Sequence, residues 1–305
     1  MNFSPESMGQ IAALGTAFCW SFNAMLFTGA GRRVGSDTVT HVRLWLALAM
    51  LGLVHFVIYG TIFPWNAELF RLCWLGLSGA VGFVIGDLFL FEAFVLIGTS
   101  RSLVVKTFAP ALAALLGFVF LHEFLGFVQI IAMCITLSGI LFVVISRGKS
   151  ISAEKSSIPV SQISRGIFYA FMGAVGQAVG VIFSKQALSG GFSPISATLI
   201  RVAAATVLMF FVALIRGRVG HHIASLRNKR GMLGIAGGTV LGPVIGVSLS
   251  LYALQHTQVG IASTLMEMAP ILVLLVSVVF LKERVTWREW VGTFVALLGA
   301  GALFL

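Results

Sequence analysis

Charge is what this chain has least of, and acid above all. Only 10% of its 305 residues are charged, ten of them Asp or Glu and twenty Lys or Arg. A soluble domain carries roughly 25% charged residues, so this composition cannot cover a water-facing surface. Cysteine is scarce too. Cys19, Cys73 and Cys134 lie inside apolar runs without metal-type spacing, which leaves packing as their role. Residues 1–8 hold no Lys or Arg, and the apolar run behind them is too long for a cleavable secretory leader. Catalytic signatures are missing as well: there is no HExxH, GxSxG, DDxxD or P-loop, and Gly148-Lys149 has no glycine-rich lead.

What the chain does have is apolar length. Hydrophobic residues make up 58%, with a mean hydropathy of +1.03, and such a chain belongs in a bilayer. The net charge of +10 could suggest nucleic acid, but the basic residues fall between apolar runs, as in the loops of a membrane protein. No nucleic-acid partner is expected. About 20 apolar residues cross ~30 Å of hydrocarbon as a helix. That length predicts ten spans, at about 9–30, 39–60, 71–96, 100–121, 125–145, 166–187, 195–215, 232–253, 259–281 and 287–305. Ser193-Pro194 reads as an N-cap and N1 proline, and Trp287 and Trp290 suit an interface. The polar stretch 146–165 reads as a flexible linker, dividing the chain into domains 1–145 and 166–305.

The two halves repeat. APALAALLGFVFLHE from Ala109 to Glu123 and APILVLLVSVVFLKE from Ala269 to Glu283 match at eight of fifteen positions. At the same offset of 160, Gly82 and Gly86 meet Gly242 and Gly246, Ala93 meets Ala253, and Gly139 meets Gly299. An offset of 158 brings Arg43 onto Arg201 and Gly15 onto Gly173. Five crossings per half is an odd number, so the second half must start on the opposite side and run inverted. The expected fold is an all-α polytopic membrane protein of ten transmembrane helices in two inverted five-helix repeats. Many transporter folds are built this way, with the binding site near the midplane between the halves.

The ends of the repeats, SRSLVVKTFAPALAALLGFVFLHEFLGFVQIIAMCITLSGILFVV and ASTLMEMAPILVLLVSVVFLKERVTWREWVGTFVALLGAGALFL, resemble the EamA-type branch of the drug/metabolite transporter superfamily. HVRLWLALAML and LIRVAAATVLM resemble that family's second helix. The resemblance covers nearly the whole chain and is silent on substrate. It implies alternating access around a central cavity, no prosthetic group, and cytoplasmic termini. The charge count implies the opposite orientation. Fifteen Lys and Arg fall in the connections after spans 1, 3, 5, 7 and 9, while Arg71 and Lys185 alone lie on the other side, which puts both termini outside the cytoplasm.

Ionised side chains at bilayer depth usually face a cavity or a partner. Asp87, Glu92, Lys106 and Glu267 are of this kind. Glu92 and Lys106 each lie about seven residues from the turn near Thr99, so their heights match and they are expected to pair, structurally or within the site. Glu267 lies equally deep from the other face. Lys106 and Glu267 precede Pro110 and Pro270, whose missing donors free carbonyls beside these charges, unless the prolines serve only as packing kinks. Trp20 and Asn23 share a helix face and, with Gln177 and Tyr252, complete the cavity candidates, packing or lipid contact being the alternative for Trp20. Arg43 and Arg201 are expected to snorkel to headgroups. The reading is a secondary transporter of a small organic solute in the cell (inner or plasma) membrane, more in keeping with efflux. It needs no cofactor or metal, and protons are the candidate coupling ion. The alternative is a polytopic membrane enzyme acting on a lipid-soluble substrate.

Overall fold

Inside a bilayer the backbone must satisfy its own hydrogen bonds, which limits a spanning chain to helices or a closed barrel. The computed structural model describes residues 4–97, 99–152, 160–281 and 286–304, and all regular structure among them is helical. The first half runs α1 (Pro5–Val34), α2 (Ser36–Tyr59), α3 (Leu69–Ile97), α4 (Thr99–Lys106), α5 (Ala109–Leu121) and α6 (Phe127–Ser152). The second runs α7 (Val160–Ala187), α8 (Pro194–Ile215), the short α9 (Val219–Ser225), α10 (Lys229–His256), α11 (Val259–Met266), α12 (Ala269–Leu281) and α13 (Trp287–Ala302).

Among the described residues, nine helical stretches are long and apolar enough to cross a bilayer. The tenth expected span falls on α13, whose 16 residues give about 24 Å at 1.5 Å per residue. The expected linker is helical on both flanks, because α6 continues to Ser152 and α7 begins at Val160; residues 153–159 and Glu283 lie outside the described residues.

Helix ends follow local chemistry. Ser4 and Ser193 accept from the backbone N–H of Ser7 and Ser196, each ahead of a proline, and Thr286 with Glu289 forms a reciprocal capping box. The outer surface is apolar: Val95 and Ile215 are 80% and 84% exposed, which suits lipid and not water.

The repeat reappears as geometry. Both α3 and α10 contain a π-helical segment, at Gly79–Gly86 and Val240–Gly246. Both halves also break a helix at one place, between Lys106 and Ala109 and between Met266 and Ala269, and Pro110 and Pro270 are the second residues of the new segments. The halves are inverted. A Cβ on Gly139 would collide with the backbone N of Ala296, one on Gly299 would reach Thr136 N at 2.5 Å, and one on Gly292 would reach Val143 at 2.7 Å. These pairings run in opposite directions along α6 and α13, so the two equivalent helices pack antiparallel and reciprocally, as a twofold axis across them requires. The other equivalent pair, α2 and α8, does the same: Thr206 Oγ1 donates to Leu44 O at 3.3 Å, while His55 lies 3.0 Å from Ser196 Oγ at the far end.

Candidate functional site

Between the halves lies a cavity of about 250 Å³. At ~30 Å³ per water this is room for a small solute. Its polar lining comes from both repeats. Trp20 and Asn23 project from α1, Arg43 from α2, Asp87 from α3 and Lys106 from α4; Gln177 comes from α7, Arg201 from α8 and Glu267 from the end of α11. Lys106 Nζ donates to Glu267 Oε1 at 2.6 Å, and Arg43 Nη2 donates to Asp87 Oδ2 at 2.5 Å. The first ion pair joins the two halves and the second stays within one. Pro110 also lines the cavity. Its ring nitrogen cannot donate to the Lys106 carbonyl, so the chain turns here and the Lys106 side chain leaves from a helix end.

The glycine pattern makes room for the polar side chains. A Cβ on Gly242 would collide with Asn23 Nδ2, and one on Gly246 would sit 2.9 Å from the Trp20 indole. In the first repeat Gly82 and Gly86 instead face Gly180 and Gly176, where an added Cβ would come within 3.0 and 2.9 Å of the facing backbone. Backbone-to-backbone approach holds one half, and amide and indole seats furnish the other.

Several expectations need correction. Glu92 does not pair with Lys106; it is exposed and lies off the cavity. It follows Asp87 by five residues, which at 100° per residue turns it about 140° away from the side that Asp87 presents. Equal depth places Glu92 and Lys106 at one height but does not give their direction. Tyr252 also lies off the lining, tilted against His256 with ring centroids 4.2 Å apart, while Ser250 and Leu254 of the same helix face the cavity. Pro270 breaks its helix without lining the cavity. The arginines do not snorkel. Arg43 and Arg201 both line the cavity, and Arg201 is 6% exposed, with its guanidinium 4.5 Å from the Phe83 ring centroid. Pro243 and Ser263 line it as well, and sequence reasoning misses both. The repeat register holds the missing signal for the arginines, since it aligns the two with each other.

The two ends of the molecule differ. At one end, Glu123 accepts from Lys185 Nζ and from Val259 N–H at 2.7 Å, Lys185 also donates to Thr257 O at 2.7 Å, and Gln258 Nε2 donates to Phe124 O at 3.1 Å. This ties the turn after α5 to α7 and α11. At the other end, Arg218 Nη1 donates to Asp37 Oδ2 at 2.9 Å, and His41 and His222 stack with centroids 4.3 Å apart. Asp37, His41 and His222 offer ligand-type atoms within 4.8 Å of one another, although Arg218 already holds the carboxylate. Burial, followed by the neighbouring His41, pushes His222 below the ordinary histidine value of 6.5.

Known proteins share this architecture. The EamA-like transporter family matches residues 7–145 and again 164–305. An uncharacterized transporter of Archaeoglobus fulgidus is 31% identical over 121 residues, 39% of this chain and 41% of that protein's length. The chain therefore matches less than half of that relative. A solved crystal structure aligns with a TM-score of 0.73 over 97% of this chain and 96% of its own, at 18% identity, a likeness of fold alone. The double match, the antiparallel halves and the charged cavity between them agree: this chain belongs to the EamA-like transporter family.

Proposed function

We propose that the protein is a secondary transporter that moves a small organic solute across a cell membrane by alternating access, in the direction of efflux. One observation carries this reading: a cavity whose charged lining is contributed by both inverted halves, with an ion pair, Lys106–Glu267, spanning the joint. A site at such a joint can be exposed to either side by rocking one half against the other. The tie at Glu123, Lys185 and Val259 is the natural closed gate at one end. Glu267 is the candidate proton site, because protonating it would release Lys106 and loosen the joint.

Orientation rests on the loop charges. Fifteen Lys and Arg on one side favour that side as cytoplasmic, with both termini outside, in the inner or plasma membrane. A cysteine introduced at Lys155 should resist a membrane-impermeant maleimide in intact cells and react after permeabilisation; the reverse result would invert the topology. Flux into proteoliposomes tests the function. Saturable uptake with counterflow is expected. Conversion of solute to product would favour an enzyme, and non-saturating conduction a channel.

A further inference from the structure

The two repeats keep the same arginine but not its partner. Arg43 and Arg201 are equivalent positions in the duplication, and both line the cavity. Arg43 is paired with Asp87. The residue 160 positions after Asp87 is Val247, which also lines the cavity but has no charge to offer. Among the described residues no carboxylate pairs with Arg201, its Nε has no hydrogen-bond partner, and its guanidinium lies beside the face of Phe83. The cavity therefore holds three cationic side chains against two anionic ones, and Lys106 and Arg43 already engage both anions. A buried guanidinium without a counter-charge needs one, and a planar carboxylate matches its fork of donors.

We infer that the transported solute is an organic anion whose carboxylate docks on Arg201 in place of the acid missing at Val247. This rests on the cavity being the transport site. The rest of the lining fits the body of such a molecule. Leu44, Val181, Val202, Leu254 and Met266 are apolar, and the Trp20 ring and the amides of Asn23 and Gln177 offer a flat surface and a few donors. The class is a monocarboxylate with an apolar or aromatic body, small enough for about 250 Å³. Neutral amides and amines of the same shape lack the charge that Arg201 requires.

The test uses phenylacetate, phenylacetamide and phenethylamine as matched probes on the purified full-length protein, read by Trp fluorescence and thermal shift. Phenylacetate should bind, with the amide and the amine at least about tenfold weaker, the factor that 1.4 kcal/mol represents. Arg201→Gln should weaken phenylacetate by a similar factor, and Arg201→Lys should restore part of it. Val247→Asp is the sharper variant, because it supplies the missing carboxylate internally and should abolish phenylacetate binding with the fold intact. It also keeps the question open to an answer if Arg201→Gln does not fold. Equal binding of all three probes, or wild-type affinity for phenylacetate in both Arg201→Gln and Val247→Asp, would overturn the inference. So would competition by inorganic phosphate or chloride at equal concentration, which would mark an unspecific anion site. Counterflow in proteoliposomes separates the two readings. Saturable flux of an amine or neutral solute without the carboxylate leaves a transporter and removes the anion site. Carboxylate binding without any flux does the reverse.

Discussion

Lys106 and Glu267 show how a buried pair can matter more when broken than when kept. Their side chains are 20% and 10% exposed, so each is largely removed from water, with the cavity as its wet side. Removing one partner strands the other charge, whereas removing both strands neither. Lys106→Met or Glu267→Gln alone should each cost about 2 kcal/mol, the scale of a hydrogen bond to a charged group, and the double variant should recover most of it. Thermal unfolding of the three variants in detergent checks this; additive losses would mean that the pair is not coupled. The sequence reveals that these residues lie deep, because charge inside an apolar run is visible at once. It does not reveal direction, which is why Glu92 groups with them on the page and Arg201 does not. Direction depends on how each helix is rotated toward its neighbours, which apolar length and depth do not fix.

Among the elements, α6 and α13 approach backbone to backbone, and the approach is carried by absent side chains. A methyl at Gly139 would overlap the Ala296 backbone nitrogen, so Gly139→Ala must push the helices apart, costing about 1–3 kcal/mol as overpacking does. Gly29 lies in α1, and a methyl added there would meet nothing within 4 Å, so Gly29→Ala should instead stabilise by up to about 1 kcal/mol. Opposite signs in one unfolding assay are the expected result. The α2–α9 junction carries a pH dependence. His222 is favoured neutral in the fold, held down by burial and His41, with His221 and Arg218 acting the same way and Asp37 opposing. Its folded pKa is depressed, so the stability it contributes is present above about 6.5 and is lost as pH falls below that value. Protection of the amides of residues 219–225 against hydrogen exchange, corrected for the intrinsic pH dependence of exchange, should fall between pH 7 and pH 5, and His222→Gln should flatten the response. Span lengths are legible because apolar runs are long and turns are polar. The shortness of α13 is not, since an apolar tail reads as a full crossing wherever its helix ends.

For the whole molecule, the charged tie at one end predicts how access is controlled. Lys185→Met would remove the ammonium from Glu123 and the donor to Thr257 O, loosening the link between the turn after α5 and the second half. A cysteine placed at Ser263, on the cavity wall, should then react faster with a soluble maleimide. An unchanged rate would mean that this tie does not gate the cavity. Duplication itself is readable at this scale, because Gly82, Gly86, Pro110 and Gly139 recur at one offset as Gly242, Gly246, Pro270 and Gly299. The unequal partners of the two arginines have a further consequence for a carrier that alternates between two facings. Were the copies identical, the inward and outward postures would be related by the twofold rotation and equal in energy. With Asp87 in one copy and Val247 in its twin, that equivalence is broken, so the empty protein would rest leaning to one side before any gradient acts on it.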